Sequence, residues 1–504
     1  MVVLDSQIPD SIDAHNQHPA DMKNLAQMMA ACLVILLAGC ASGSGDIRTA
    51  DRKEKYSAEQ IELGSKVHEF VNDKYGLYAD PELNDYVSSV GNKISAPLPR
   101  HFKFYILDTP DIQAWAVPGG NIYITRGMLG LLETEDELAA VLSHEAAHIV
   151  FRHSDKFRDA ALSTNQLGRA IHSHARSDHA RQLASEFSLA VNQGYSREQE
   201  SDADRMALRY MRSAGYDPAA AQQLLRKLLA TEKQEESITD AFGLKSGKRY
   251  ELYSSHPATE KRLDAVSNIL GERGRKPAPH AASKIRYLSA IDGMTYGDSS
   301  PIALIKPGRL LVKKPSISLS FGKDWLAIPQ SQGVLLVQPD KKWLQLIGYK
   351  KIKPGSSPGK TFVANLFPVK KGRGRELRIP GLSAYSVDLI RVRNNKKVRA
   401  RITMIYQGED AIIILGSTRD NQLPVSLDRA ALKTAKSARA TRHRDAATFR
   451  PLSIRVVKVR SGDSYKSLSR KMPVYYLAEE QLRQLNGAIA GDEVVAGELV
   501  KLIQ

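Results

Sequence analysis

The sequence predicts an α+β protein: a mainly helical front with a small sheet, a β-rich middle, and a small βααβ unit at the C-terminus. Three observations carry that prediction. Segments before Arg275 repeat their apolar residues at helical spacing. Runs after it, such as Gly333-Val334-Leu335-Leu336-Val337 and Ala411-Ile412-Ile413-Ile414-Leu415, are short, apolar and bounded by turn residues. The last fifty or so residues read strand, helix, helix, strand. With 504 residues, 42 % of them apolar and 25 % charged, the chain is ordered material too long for one core.

The parts are expected at 1–39, 40–275, 285–440 and 451–504. The first is an export signal. An apolar run from Leu25 to Leu37 follows Lys23, is too short to span a bilayer comfortably, and ends in Leu37-Ala38-Gly39-Cys40. That junction resembles a lipoprotein cleavage site, which makes Cys40 the lipidated first residue of the mature chain. The polar stretch before Met22 is unlike a signal, so translation is expected to start at Met22. The chain has 2 Cys, Cys32 and Cys40; one leaves with the signal and the other is lipidated, so no disulfide forms. Ala41 after the cysteine favours the periplasmic face of the outer membrane over inner-membrane retention.

The net charge of +17 is uneven. After Arg275 there are 41 Lys+Arg and 17 Asp+Glu, a balance of +24, whereas the front carries −7. The basic back suits anionic lipid or wall polymers. Export and the lack of any nucleic-acid motif exclude nucleic acid.

Helices are expected at 57–72, 81–95, 134–152, 197–213, 218–231 and 257–270, ending at the linker Arg275-Lys276-Pro277-Ala278-Pro279. Thr134 to Glu137 reads as a capping box opening the third helix, on which Val141, His144, His148 and Phe151 share one face. His144-Glu145-Ala146-Ala147-His148 sets two imidazoles one turn apart, the separation needed to share one Zn²⁺, with Glu145 beside them as general base toward an activated water. A third ligand is needed, and the chain has Phe151 and Ser154 where a downstream His motif would need Gly and His.

The next candidate helix is capped by Ser196 with Gln199 and stopped by Gly215 and Pro218. Its stripe of Ala203, Met206, Ala207, Tyr210 and Met211, extended backward, turns Glu200 and Asp204 inward and leaves Glu198, Asp202, Arg205 and Arg209 on the solvated side. Two carboxylates facing a core need a compensating cation. Glu200 is therefore assigned as third metal ligand, and Asp204 as the group that orients a ligand imidazole.

His144-Glu145-x-x-His148 followed by Glu200-x-x-x-Asp204 resembles the BepA/HtpX-like gluzincin metallopeptidases, related to the CAAX prenyl endopeptidases, over about Tyr56 to Leu270. Pro118-Gly119-Gly120-Asn121-Ile122-Tyr123-Ile124-Thr125-Arg126-Gly127 resembles the family's strand before the metal helix, and Ser255-His256-Pro257 with Arg262 its later His-Pro element. The chain departs from the family in Gln113-Ala114-Trp115-Ala116 and in a polar stretch holding His172, His174 and His179, read as a titrating loop. The resemblance implies a zincin-like endopeptidase domain with one Zn²⁺ per chain, and a His256 able to occupy the position of the attacking water in a resting state. His153, off the ligand face, is read as a hydrogen-bonded neighbour. The alternation of Asn121, Ile122, Tyr123 and Ile124 suggests an edge strand to which an extended, unfolded polypeptide adds.

At the C-terminus, Ile454–Arg460 alternates, Ser461-Gly462-Asp463-Ser464 turns into a helix ending before Pro473, a second helix leads to Leu485-Asn486-Gly487, and Gly497–Ile503 closes as a strand. This order resembles a LysM module and implies peptidoglycan as a partner. Together the readings describe a lipid-anchored zinc endopeptidase of the envelope, acting on misfolded or misassembled outer-membrane proteins. The rival from another class is a non-catalytic envelope chaperone or scaffold that grips peptidoglycan.

Overall fold

The computed structural model describes residues 56–504 apart from 154–194, 242–255, 257–258, 272–280, 442–449 and short stretches from 298 onward. Cys40 with its signal, the His172, His174 and His179 group, Ser255 and Pro257 lie outside the described residues.

Helix α1 (Ala58–Tyr75) opens with a reciprocal capping box between Ser57 and Gln60. Helix α2 (Pro81–Ser95) is capped by Asp80, with proline in its first turn where no hydrogen-bond donor is needed. A three-stranded sheet of β1 (Lys103–Leu107), β2 (Ala114–Val117) and β3 (Asn121–Thr125) follows in the order β1-β3-β2. Strand β3 pairs with β1 in parallel and with β2 antiparallel. This corrects the expectation that Asn121 to Ile124 form an edge. All five residues of β3 are buried, because a central strand is covered on both faces, and the outer strands are β1, which is bridged at Leu107 to Leu77, and β2.

Thr125 caps α3 (Arg126–Leu131), and Thr134 caps α4 (Glu135–Val150). Gly127 is required between them and the preceding loop: a Cβ there would sit 2.1 Å from the Pro110 carbonyl oxygen. The expected capping box at Thr134 is half formed. Its hydroxyl accepts from the Glu137 amide, but the Glu137 carboxylate reaches one residue further back, to the Glu133 amide at 2.7 Å. Helices α5 (Arg197–Ser213), α6 (Ala219–Ala241) and α7 (Glu260–Leu270) complete the front.

The boundary drawn between 275 and 285 also needs correction. Helix α8 (Ala281–Ile291) lies across it and buries Tyr287, Leu288 and Ile291 in the same core as α2 and α4. Strand β4 (Thr295–Tyr296) follows. The middle is β-rich. Strands β5 (Ala303–Lys306), β6 (Arg309–Val312) and β7 (Ile317–Ser320) join β15 (Arg439–Ala440) in a four-stranded sheet ordered β15-β7-β6-β5. Strands β8 (Leu326–Gln330), β9 (Gly333–Val337), β10 (Trp343–Lys351), β11 (Gly372–Glu376), β12 (Ser383–Arg393), β13 (Lys396–Gln407) and β14 (Asp410–Thr418) form a seven-stranded sheet ordered β11-β12-β13-β14-β10-β9-β8. Helix α9 (Pro358–Asn365) lies between β10 and β11 in sequence, and α10 (Val425–Lys436) seals a second core through Leu427 and Ala435.

The C-terminal unit runs β16 (Leu452–Lys458), α11 (Tyr465–Ser469), α12 (Ala478–Leu485) and β17 (Leu499–Ile503), and β16 pairs with both β17 and β4. It is not a separate bead. Ile454, Leu468, Leu482, Val500 and Ile503 belong to the core that holds the metal-helix residues Leu138 and Leu142. Lys501, fully buried, donates to the carbonyls of Gly130 at 2.8 Å and Leu132 at 2.7 Å and lies 3.3 Å from the Glu133 carboxylate. A cation from β17 thus satisfies orphan carbonyls at the end of α3. Burial pulls the Lys501 amine down to about 8 against the opposing pull of Glu133.

Candidate metal centre

Helix α4 is buried along nearly its whole length, which fixes the rotation of His144 and His148. Their Nε2 atoms lie 3.0 Å apart. Helix α5 crosses it with Glu200 and Asp204 turned inward, 2 % and 9 % exposed. Glu200 reaches His148 Nε2 at 3.4 Å and His144 Nε2 at 3.5 Å. His256, just before α7, brings Nδ1 to 2.9 Å from Glu200 and 3.4 Å from His144 Nε2. One ligand atom from each of His144, His148, Glu200 and His256 therefore lies within 4.8 Å of all the others.

These separations test whether a metal fits. Donors about 2.1 Å from one tetrahedral ion stand about 3.4 Å apart, and the measured contacts cluster around that value. Imidazole nitrogens and a carboxylate oxygen are also the donor types zinc takes.

The surrounding groups hold the donors in place. His144 turns its other nitrogen to Asp204 at 3.1 Å, and His148 turns its own to His153 at 3.0 Å. Arg262 of α7 donates to both Asp204 oxygens, at 2.7 and 2.8 Å, and lies 2.6 Å from Glu200. Tyr195 stacks on His148 with ring centroids 3.8 Å apart. Burial pushes the Glu200 carboxyl up, but His256 and Arg262 outweigh it and hold the group well below the usual range. Asp204 likewise falls to about 2, because Arg262 overcomes burial. Glu145 has no such close cation, and burial pushes it up. One of its oxygens is buried without a hydrogen-bond partner, and the other lies 3.8 Å from His256 Nε2.

Residues 78–270, which contain every one of these groups, match the model for Peptidase family M48. Over that stretch the chain is similar to M48 peptidases. The chain is also similar to several curated relatives. A β-barrel assembly-enhancing protease of Yersinia pestis is 29 % identical over 280 residues, 53 % of each chain. A mitochondrial metalloendopeptidase of Schizosaccharomyces pombe is 31 % identical over 191 residues, covering 37 % of this chain and 53 % of that one. Metalloprotease LoiP of Escherichia coli is 26 % identical over 201 residues, 38 % of this chain and 71 % of that one. The chain spans about half the length of the first two relatives.

The structure brings His144, Glu145, His148, Glu200, Asp204 and His256 together. Phe151, expected on the ligand face, is the cap residue after α4 and is partly exposed. Tyr195 was missed by sequence reasoning. Its only signal was its place immediately before the helix cap Ser196, a position where side chains pack back on a neighbour.

Proposed function

We propose that the chain is a zinc-dependent endopeptidase of the bacterial envelope, held by lipid on Cys40 to the outer membrane and facing the periplasm. The observation that carries this is the convergence of four donors around one point, with Glu145 beside them, one of its oxygens buried without a hydrogen-bond partner. His144, His148 and Glu200 would hold the ion. Zinc bound there would supply Lewis acidity, polarising a scissile carbonyl and acidifying water.

The chain's own residues do the rest. Glu145, with its proton affinity raised by burial, takes a proton from the attacking water and returns it to the leaving amine. Asp204 and His153 fix the two imidazoles, and Arg262 keeps both α5 carboxylates ionised. An extended substrate adds along β2, the outer strand of the small sheet on the side of α4, through backbone hydrogen bonds. Recognition of that kind tolerates many sequences and suits unfolded or misassembled envelope proteins. Among the described residues no helix is long and apolar enough to cross a membrane. The C-terminal βααβ unit is read as a peptidoglycan-binding element.

The purified protein is expected to hold one zinc per chain, and stripping the zinc with a chelator should stop cleavage of casein. A metal-free chain that still cleaves would end this reading. His256 fills the remaining donor position, so the arrangement is a latent one. His256→Ala is expected to raise casein cleavage severalfold with zinc retained. Cleavage unchanged or lowered would assign His256 to structure alone.

A further inference from the structure

We propose that the β12–β13 hairpin is a docking element for the phosphate-bearing surface of an anionic bilayer. The proposal deepens the lipid-anchored reading above and rests on it. Strands β12 and β13 pair without a break from Ser383↔Tyr406 to Arg393↔Lys396. Their neighbours stop short. Strand β11 pairs no further than Leu389, and β14 no further than Arg401. Residues 390–393 with their partners 396–399 therefore run on as a two-stranded ribbon, about 13 Å beyond the flanking strands at ~3.3 Å per residue.

The ribbon's composition has no counterpart in its own fold. It carries Arg391, Arg393, Lys396, Lys397 and Arg399 and no acidic residue. Arg399 is neutralised at the root by Asp388, at 2.7 and 3.2 Å. Beyond it, the register sets the positions of Arg393 and Lys396 opposite each other at the ribbon's end. Exposed Arg375 lies on the edge strand β11 opposite Ser386, four residues back from the ribbon. From 370 to 401 the chain holds 11 Lys+Arg and 2 Asp+Glu.

A bilayer is the occupant that the tether favours. Sixteen residues from Cys40 to Tyr56 reach at most about 55 Å, so a lipid on Cys40 keeps the body near a surface where basic groups concentrate by attraction.

The test uses the body from Arg52 onward, a compact unit by itself, sedimented with phosphatidylcholine vesicles with and without phosphatidylglycerol. The wild type is expected to bind only the phosphatidylglycerol vesicles and to be released by high salt. Reversing Arg391, Arg393, Lys396 and Lys397 to glutamate should weaken binding by about 100-fold or more. Reversing four exposed cations elsewhere in the β-rich middle, Lys306, Arg309, Lys323 and Lys353, should change it by less than about tenfold. The quadruple glutamine variant of the ribbon, which adds no new charge, guards against misfolding and should also lose binding. A wild type that ignores phosphatidylglycerol, or a ribbon variant that binds like the control, overturns the proposal. The intact mass of the full chain from cells separates the two readings: no lipid on Cys40 sinks the anchor, whereas lipid on Cys40 with no vesicle binding by the body sinks the ribbon alone.

Discussion

Glu145→Gln is expected to keep zinc bound while lowering the rate of casein cleavage by about 1,000-fold, within the range for losing a positioned general acid–base. Glutamine has nearly the same shape but cannot accept the proton of the attacking water. Glu145 is not one of the four converging donors, so its loss should leave the metal content at wild-type stoichiometry. Glu200→Gln should behave oppositely, losing zinc first, because Glu200 touches all three histidines of the cluster. Metal analysis alongside initial rates distinguishes the two. A Glu145→Gln enzyme retaining more than about a tenth of the wild-type rate would remove Glu145 from the chemistry and favour a non-catalytic chain.

The second large effect is expected far from the metal. Lys501→Met should destabilise the front domain by about 3 kcal/mol, the cost of removing one partner from a buried ion pair while the other stays. Glu133 would keep Lys284, at 3.3 Å, but lose the cation that touches it from β17. The carbonyls of Gly130 and Leu132 would also lose a buried donor. Chemical denaturation followed by fluorescence measures this. The double variant Glu133→Gln, Lys501→Met should recover part of the loss.

The pH dependence has a definite sign. Lys501 titrates near 8 in the folded chain and near 10.5 unfolded, so between those values the unfolded state binds more protons. Stability contributed by this group is fully present above about 10.5 and is lost as the pH falls through about 8. The margin of wild type over Lys501→Met should accordingly widen from pH 8 to pH 10. A margin that narrows over that window, or a variant as stable as wild type, would show that β17 does not hold the end of α3.

How much of this was legible beforehand depends on range. The helices of the front were readable from their apolar periodicity and, for α5, from start and stop chemistry, Ser196 with Gln199 before it and Gly215 with Pro218 after it. The pairing of Glu200 with the two histidines was readable because a carboxylate on an apolar stripe demands a cation, wherever that cation comes from. Strand β3 was misread because four residues of alternating character look half-exposed until two neighbours cover them. Helix α8 was overlooked because the prolines before it signal a domain end, and only Tyr287, Leu288 and Ile291 finding the α2–α4 core reveals otherwise.

By itself the sequence determined the local chemistry: two imidazoles one helical turn apart, a general base between them, the cap that starts α5, and a basic second half. Those follow from spacing and residue type over a few neighbours. The tertiary structure alone decided that β3 is central, that Arg262 clamps Glu200 and Asp204 from α7, and that Lys501 closes the end of α3 from 369 residues away. Each of these is a contact between segments whose separate patterns are complete without it, and only burial, by making an unpaired charge or an uncovered strand costly, brings them together.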